Sequence, residues 1–370
     1  MQSAKHRVAV IGSSGRGDYG HGIDVVWQRI PGVEIVAVAD DDPAGLAKAA
    51  ARLAVEKTYA DYRKMLDDAK PDIVAICPRW IDRHHAMAVA AIQRGMHVFM
   101  EKPMCRTLAE ADEIIRASEM THARVAVAHQ THVSPKIAVA KRLIADGKLG
   151  QVLEFRGRGK EDARGGGADL WVLGSHVMDL IRLFGGDPSW CFATVSSEGR
   201  PIRKHDVVEG PEGIGPLAGD HVQAVFGMPG GATAYFGSRR KAGGSPSRFG
   251  LQILGSAGML EIGTGYLPYL KFLPDSSWSP GRTKIAWQDV SSAGLGQPEP
   301  LTDGGLVAGN ELVVRDLLSS IEEHRPPAMG AVEARGAIEM IVACFESARA
   351  GGPVSLPLAS RDNPLVRLPE

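Results

Sequence analysis

The sequence predicts a doubly wound parallel α/β sheet over residues 1–128, followed over residues 129–370 by an α+β region with a large open, mainly antiparallel sheet. Two observations predict this division. In the first segment, short apolar runs that are nearly continuous in Val, Ile and Ala alternate with helical patterns, which is typical of parallel strands covered on both faces. In the second segment, apolar and polar residues alternate along the strands, which favours an antiparallel or mixed sheet.

Five apolar runs define the predicted parallel strands. Helical patterns lie between them, and repeated strand–helix units of this kind favour a doubly wound sheet. One predicted helix has Thr107 at its N-cap position, and Glu110 three residues later completes a capping box. The five runs are residues 7–12, 33–40, 72–77, 97–100 and 124–128.

The second segment begins with a predicted helix at residues 135–146, which ends at Gly147. The sequence Met-Pro-Gly-Gly at residues 228–231 predicts a hairpin turn. Two stretches rich in Gly and Pro, residues 200–219 and 274–300, are predicted loops. The strands are predicted within residues 151–160, 221–228, 232–239 and 248–255, and the late helices within residues 311–323 and 332–348.

Composition excludes several classes of partner. Hydrophobic residues make up 44% and charged residues 23% of the chain, and the formal net charge is -1, so no global field favours nucleic acid or an acidic membrane. No apolar run approaches the ~20 residues that span a bilayer, and the first residues do not resemble a signal peptide. The four cysteines are widely spaced without a C-x-x-C pair, which fits a reducing compartment, so we expect a cytoplasmic protein without a disulfide framework.

A glycine-rich turn follows the first strand. The sequence I-G-S-S-G-R-G-D-Y-G-H-G places Gly12 and Gly17 at the first and third positions of a dinucleotide-binding fingerprint, with Ser14 at the second and Gly15 beside it. Such a turn, between a strand and a predicted helix, lets backbone N–H groups bind a pyrophosphate. The simpler alternative is a tight turn before an acidic helix start.

The second strand ends at Asp40, 23 residues after Gly17 (40 − 17), where a carboxylate accepts hydrogen bonds from the ribose hydroxyls of a bound dinucleotide. The acidic run at residues 40–42 would repel a 2′-phosphate, and no Arg directly follows it. We therefore expect NAD rather than NADP.

Further along the chain, two blocks carry a more specific resemblance. The sequence G-M-H-V-F-M-E-K-P-M-C-R-T-L-A-E-A includes an E-K-P motif at residues 101–103, directly after a predicted strand. The sequence G-G-G-A-D-L-W-V-L-G-S-H-V-M-D-L-I-R includes a second block, G-S-H-V-M-D, at residues 174–179. With V-A-V-I-G-S-S-G-R-G near the start, C-P-R-W-I-D-R-H-H-A, K-R-L-I-A-D-G-K-L-G-Q-V and V-S-L-P-L, the chain resembles the Gfo/Idh/MocA family of sugar and cyclitol oxidoreductases over nearly all of its length.

This resemblance implies a Rossmann domain, a C-terminal domain with an open sheet, a homo-oligomer (dimer or tetramer), and hydride transfer between NAD and a small-molecule sugar or polyol. Lys102 would lie near the nicotinamide ribose and the reacting hydroxyl, where an ammonium group stabilises a developing alkoxide. Glu101 would orient Lys102 or the cofactor. The implied cofactor-binding residues are Gly12, Ser13, Ser14, Gly15, Arg16, Gly17, Asp40, Cys77, His85, Glu101 and Lys102.

The chain departs from the family pattern D-x-x-x-H, in which an aspartate supplies a base or proton relay. His176 is present, but Val172 occupies the aspartate position. Asp169 is one candidate substitute. Asp179, three residues after His176 on the same helical face, is predicted to orient its imidazole or to contact a substrate hydroxyl. The predicted catalytic residues are thus Lys102, His176 and Asp179. The simpler alternative is that His176 and Asp179 only tie the helix to a neighbouring loop.

Three functions remain open at this stage. The first is an NAD-dependent oxidoreductase acting on a sugar, cyclitol or related polyol. The second is an NAD-dependent glycosidase or lyase whose redox cycle is internal, and the third is a regulator that binds sugar or NAD without turnover. No metal site is expected, because His129 and His132 have the i, i+3 spacing of ligands but no evident third ligand.

Overall fold

The computed structural model describes residues 6–370 and divides them into two compact units. The first unit contains the chain up to Gln130 together with Glu212–Ile214 and Gly305–Arg335. The second unit contains Thr131–Pro211, Gly215–Gly304 and Gly336–Glu370. The first unit thus takes in a late helical segment as well as the N-terminal sheet.

The first unit contains a six-stranded parallel sheet. Its strands lie in the order β3-β2-β1-β4-β5-β6, so the chain moves outward from β1 in both directions. This order confirms the predicted doubly wound sheet. The strands are β1 (His6–Ile11), β2 (Val33–Ala39), β3 (Thr58–Tyr59), β4 (Ile73–Ile76), β5 (His97–Met100) and β6 (Val125–Val127), and the helices α1 (Pro43–Leu53), α2 (Tyr62–Ala69), α3 (His84–Ile92) and α4 (Leu108–Thr121).

Side chains at the helix starts satisfy N–H groups that have no partner within the helix. Asp42 caps α1, accepting from the amide of Gly45 at 2.6 Å. Thr107 caps α4, as predicted, accepting from the amide of Glu110 at 3.1 Å. The Glu110 carboxylate accepts from the amide of Arg106 at 2.8 Å, one residue before the amide used in a standard capping box.

The α-helix predicted directly after the glycine-rich turn does not form, so this expectation was wrong. Residues 12–25 run through turns, and the connection to β2 contains only a short 3-10 helix at Val26–Arg29. Gly20 and Gly22 adopt positive φ angles of 64° and 82°, a conformation that interrupts a right-handed helix. The glycines that suggested a nucleotide-binding turn therefore also prevent the helix expected to follow it.

The rest of the chain adds a longer series of short strands and helices. Its strands are β7 (Val152–Arg158), β8 (Trp190–Ser197), β9 (Arg200–Pro201), β10 (Val208–Gly210), β11 (Gly215–Leu217), β12 (His221–Gly227), β13 (Thr233–Arg239), β14 (Gly250–Gly255), β15 (Met259–Ile262), β16 (Leu270–Leu273), β17 (Gln288–Asp289) and β18 (Val354–Ser355). Its helices are α5 (Pro135–Ala145), α6 (Gly167–Val172), α7 (Gly174–Gly185), α8 (Pro280–Thr283), α9 (Leu306–Glu322) and α10 (Ala331–Ala350), and shorter 3-10 segments lie at Ile81–Arg83, Lys204–Asp206, Pro211–Gly213, Pro229–Gly231 and Pro364–Arg367.

The second unit contains a ten-stranded sheet in the order β17-β16-β15-β14-β7-β13-β12-β8-β18, with β9 paired to β8. All its strand pairs are antiparallel except β7 with β13, so the predicted large, mainly antiparallel sheet is confirmed. Helix α7 packs on this sheet, because a Cβ on Gly157 of β7 would lie 2.5 Å from Val177. The predicted loop at residues 200–219 was only partly correct, since it contains β9 and the paired strands β10 and β11.

Among residues 6–370, no helix combines the length and apolar character needed to cross a membrane.

Thr107→Ala should destabilise the first unit by about 1 kcal/mol, because the Glu110 amide loses its side-chain acceptor. Urea unfolding followed by circular dichroism measures the change. Thr121→Ala, at the other end of α4, is the matched control, because its hydroxyl donates to a carbonyl inside the helix and caps no N-terminal amide. Equal stability of the two variants would contradict the assigned cap.

Candidate functional site

The glycine-rich loop lies at the carboxyl edge of the first sheet, and most backbone amides at its tip donate to acceptors within the loop. Ser13 and Asp18 form a two-way backbone bridge with N to O distances of 3.2 and 3.0 Å. Gly15 donates to Oδ1 of Asp18 at 2.9 Å, and Arg16 donates to the Ser13 carbonyl at 3.0 Å. A pyrophosphate would have to compete with these acceptors for the same N–H groups.

The loop also contacts its neighbours closely at two predicted cofactor residues. A Cβ on Gly12 would lie 2.2 Å from the ring of Tyr19, so the absence of a side chain leaves room for this aromatic group. Gly17 has a φ of 92°, and its carbonyl accepts from the amide of Arg79 at 3.1 Å. Both glycines therefore have a structural reason independent of a bound nucleotide.

Asp40 lies at the end of β2, as predicted, but its carboxylate is surrounded by donors of the chain itself. Oδ2 accepts from the hydroxyls of Ser14 and Tyr19, each at 2.8 Å. Oδ1 accepts from the amides of Ser14 and Asp42, each at 3.0 Å. Asp40 is 2% exposed, and burial together with the Asp40 bond raises the pKa of Tyr19 well above its usual range.

Asp41, the next residue, has an exposed carboxylate. Arg83 donates to Oδ2 at 2.6 Å, and the Ser13 hydroxyl donates to Oδ1 at 3.3 Å. The Arg83 guanidinium holds the pKa of the Asp41 carboxyl below its usual range, so Asp41 is ionised near neutral pH. Sequence reasoning favoured Asp40, and nothing in the spacing singled out Asp41.

Arg16 extends over the same edge of the sheet. Its Nη2 donates to Oδ2 of Asp82 at 2.5 Å, and its guanidinium carbon lies 4.9 Å from the centre of the Trp80 ring. The Nε of Arg16 is buried and has no hydrogen-bond partner among the described residues. A buried donor normally has a partner, so the Nε of Arg16 would be satisfied by an acceptor that the described residues do not supply.

The E-K-P motif follows β5, with Lys102 only 8% exposed and Glu101 only 1% exposed. The Glu101 amide donates to the carbonyl of Ile76 at 3.0 Å, which joins this turn to the end of β4. His21, from the glycine-rich loop, approaches Glu101 with Nδ1 at 2.6 Å from Oε1. Sequence reasoning missed His21, although the quoted loop motif contains it.

His21 is itself held in place. Its carbonyl accepts from Nδ2 of Asn310 at 3.0 Å, and Oδ1 of Asn310 accepts from Gln130 at 2.6 Å. Asn310 is fully buried on α9, within the first unit. The glycine-rich loop, the E-K-P turn and α9 thus form one hydrogen-bonded arrangement.

Two further predicted cofactor residues lie in or after β4. Cys77 is fully buried, and burial raises the pKa of its thiol well above the usual range, so it is not a reactive thiolate. His85 lies on α3 with Nε2 at 2.9 Å from Oε2 of Glu113. Its neighbour His84 is fully buried, with its ring nitrogens 2.9 and 2.7 Å from the carbonyls of Pro103 and Pro78. His84 thereby connects the turn after β5 to the turn after β4.

In the second unit, His176 and Asp179 lie on α7, as the sequence predicts. The Asp179 carboxylate pairs with His132, whose Nδ1 lies 2.9 and 3.1 Å from the two carboxylate oxygens. Both side chains are nearly buried, at 2% exposed for Asp179 and 9% for His132. His132 is a second polar residue whose contact the sequence did not predict.

Asp169, the candidate substitute for the missing carboxylate, lies in a buried network. Its Oδ2 accepts from the amide of Glu161 at 3.0 Å and from the hydroxyl of Ser238 at 2.5 Å. A Cβ on Gly159 would lie 2.1 Å from the same oxygen, so this glycine allows the approach. These contacts connect α6 to the ends of β7 and β13.

No group of three or more His, Cys, Asp or Glu side chains within residues 6–370 is arranged to hold a metal ion.

Comparison with known proteins identifies the class of protein. Residues 6–129 match the family model described as an oxidoreductase family with an NAD-binding Rossmann fold, and residues 137–261 match the GFO/IDH/MocA C-terminal domain. The chain therefore belongs to the GFO/IDH/MocA oxidoreductase family. The predicted family, the oxidoreductase class and NAD as cofactor are confirmed at this level.

The individual relatives within this family are only moderately similar in sequence. The levoglucosan dehydrogenase of Pseudarthrobacter phenanthrenivorans is 29% identical over 249 residues, which cover 60% of this chain and 63% of that protein. Glycosyl hydrolase family 109 protein 1 of Akkermansia muciniphila is 29% identical over 184 residues, 44% of this chain and 37% of that protein. The aligned regions thus span less than two thirds of these relatives.

A solved structure of a levoglucosan dehydrogenase in complex with NADH and levoglucosan superposes with a TM-score of 0.76. The alignment covers 95% of this chain and 99% of that chain, with 22% sequence identity. At this identity, the similarity shows a shared fold.

Asp169→Ala should lower the free energy of unfolding by about 1–3 kcal/mol, because it leaves the Glu161 amide and the Ser238 hydroxyl buried without an acceptor. Asp169→Asn should restore most of the loss, since an amide oxygen can accept both bonds. Urea unfolding of both variants measures the difference. An alanine variant as stable as the wild type would contradict the structural role assigned to Asp169.

Proposed function

We propose that this chain is an NAD-dependent oxidoreductase that transfers a hydride between nicotinamide and a carbon of a sugar, cyclitol or related polyol. The observation that carries the proposal is Lys102, nearly buried at the carboxyl end of β5 in an NAD-binding fold. Ligands of open parallel sheets bind at this edge. The names of the levoglucosan dehydrogenases to which the chain is similar support a sugar-like substrate.

The first unit fits a dinucleotide chemically. The exposed Asp41 carboxylate and the Arg16 guanidinium provide an acceptor and a phosphate-binding donor at the edge of the sheet, and the orphaned Nε of Arg16 indicates a missing acceptor. Bound NAD would supply the hydride acceptor. The carboxylates at residues 40–42 disfavour a 2′-phosphate, so NAD is proposed over NADP.

Lys102 would stabilise the alkoxide that develops as the substrate hydroxyl loses its proton, and would take part in moving that proton. Burial strengthens such an electrostatic interaction, because little water competes with the substrate oxygen. Glu101, fixed by the 2.6 Å contact with His21, would set the position of the E-K-P turn and hence of Lys102. His21 therefore acts through Glu101 in this proposal.

In the second unit, we propose His176 as a proton-handling residue and Asp179 as a group that contacts or orients polar atoms near it. The pairing with His132 supports a fixed position for the Asp179 carboxylate. A histidine can serve as a general base without the aspartate of the family pattern, which accommodates Val172 at that position.

A second candidate is an internal redox cycle, in which the sugar is oxidised transiently, a neighbouring bond is eliminated and the hydride returns. Similarity to a glycosyl hydrolase family 109 protein favours keeping this candidate. The two functions differ in one observable: a net dehydrogenase accumulates NADH with its substrate, whereas an internal cycle releases sugar products without NADH. A regulator would bind NAD without either outcome.

A homo-oligomer is proposed on the basis of the second sheet. Phe192, Val225 and Tyr235 are cross-strand neighbours on β8, β12 and β13, and the two aromatic side chains are 42% and 39% exposed. A row of this kind is a candidate contact surface for a second copy of the chain. The four buried free cysteines support a reducing, cytoplasmic location.

Lys102→Ala should lower kcat by about 100-fold or more while changing the Kd for NAD by less than about 3-fold, because the ammonium acts chiefly on the transition state. A panel of sugars, cyclitols and polyols, followed by NADH absorbance and by product analysis, first identifies the substrate. Turnover and NAD binding of the variant are then measured separately.

The matched control is Lys64→Ala, because Lys64 is an exposed lysine of α2 that pairs with Asp68 on the surface. It should match the wild type in both measurements. Full turnover by the Lys102 variant with an authentic substrate would exclude Lys102 from the mechanism.

A further inference from the structure

The family position for ribose recognition is occupied by Asp40, and in this chain that carboxylate is already saturated. A carboxylate offers about four lone-pair sites, and four donors fill them: two amides and two hydroxyls, from Ser14, Tyr19 and Asp42. A ribose hydroxyl would reach Asp40 only by displacing one of these donors. Since the residue is 2% exposed, it would also have to enter a closed space.

The donors that cover Asp40 are fixed by packing. Tyr19 is 9% exposed, lies against Gly12 and has the guanidinium of Arg52 at 4.7 Å from its ring centre. The Ser14 hydroxyl lies where a Cβ on Gly45 would be, at 1.8 Å, so the start of α1 is packed directly on it. Opening Asp40 therefore requires rearrangement of the loop and of its contact with α1.

Asp41, unlike Asp40, has an exposed carboxylate with lone pairs that are not used. Its side chain is 50% exposed, and Arg83 and Ser13 each donate a single bond to a different oxygen, which leaves lone pairs on both. The group follows directly after the strand end at which a doubly wound sheet binds the ribose. An ionised carboxylate there accepts the two vicinal hydroxyls of a ribose.

The groups that usually bind the pyrophosphate of a dinucleotide are also occupied or absent in this chain. The loop-tip amides of Ser13, Gly15 and Arg16 donate within the loop, and no α-helix begins there, so the usual backbone donors and helix dipole are missing. The Arg16 side chain is 43% exposed, with Nη2 paired to Asp82 and the buried Nε without a partner among the described residues. A guanidinium is the side chain best suited to bind phosphate oxygens with two parallel bonds.

We propose that Asp41, in place of Asp40, receives the adenosine ribose hydroxyls of NAD, and that the Arg16 side chain replaces the missing helix start as the pyrophosphate donor. This inference rests on the proposed function, because it presumes that the chain binds NAD. It also assigns Arg83 a role: the guanidinium paired with Asp41 is available to a 2′-phosphate once that carboxylate is removed.

The test is calorimetric titration of the full chain with NAD and with NADP, which requires no substrate. Asp41→Ser should weaken NAD binding about 10- to 100-fold, since bonds to a charged acceptor are lost. The same variant should strengthen NADP binding about 10-fold, because Arg83 becomes free to pair with the 2′-phosphate. Adding Arg83→Ala should remove the gain for NADP, and Arg16→Ala should weaken both nucleotides about 10-fold.

Asp67→Ser is the matched control, because Asp67 is an exposed aspartate paired with Arg94 at 2.7 Å, as Asp41 is with Arg83. It should bind both nucleotides as the wild type does. Thermal melts accompany each titration, and Asp41→Asn replaces the serine variant if that protein is unstable.

Wild-type affinity of Asp41→Ser for NAD, together with loss of NAD by a folded Asp40→Asn variant, would overturn the reassignment and leave the proposed function intact. A wild-type chain that binds neither nucleotide would overturn the proposed function itself, and this inference with it.

Discussion

The buried carboxylate of Asp40 determines the local structure on which the candidate cofactor site depends. At the end of β2 it accepts hydrogen bonds from Ser14 and Tyr19 of the glycine-rich loop and from Asp42. These bonds hold the loop in a turn that does not continue into a helix. A buried charge is tolerated only when donors satisfy it, and the loop supplies them. The exposed groups left for a nucleotide are then side chains, Asp41 and Arg16, rather than backbone amides.

Buried carboxylates organise the other polar regions in a similar way. Glu101 receives His21 next to Lys102, and Asp179 receives His132 on α7. Asp169 instead accepts from a backbone amide and a hydroxyl and connects α6 to two strands. Each of the two histidine contacts fixes a carboxylate beside a residue proposed for catalysis, so under the proposed function stability and activity would depend on the same buried pairs within each unit.

Much of the fold could be predicted because its pattern is local. Strands β1, β4 and β5 read as continuous apolar runs since helices cover both faces of the sheet, and the E-K-P motif follows such a run directly. The missing helix after β1 could not be predicted from spacing alone, because glycines permit both a nucleotide-binding turn and a chain that never becomes helical.

The polar contacts were the least predictable part of the candidate site. His21 is 80 residues from Glu101 and His132 is 47 residues from Asp179, so no periodicity joins the members of either pair. The saturation of Asp40 depends on where the Tyr19 ring packs, which spacing does not specify. The sequence therefore predicted the acidic edge of the sheet. Only the three-dimensional structure distinguishes the buried carboxylate of Asp40 from the exposed carboxylate of Asp41.

The proposed function requires that the first unit bind NAD in preference to NADP. Native mass spectrometry of the purified chain, mixed with equal concentrations of the two nucleotides, tests it most directly. We expect one NAD bound per chain and little NADP. A spectrum dominated by the NADP complex, or a chain that takes up neither nucleotide, would contradict it.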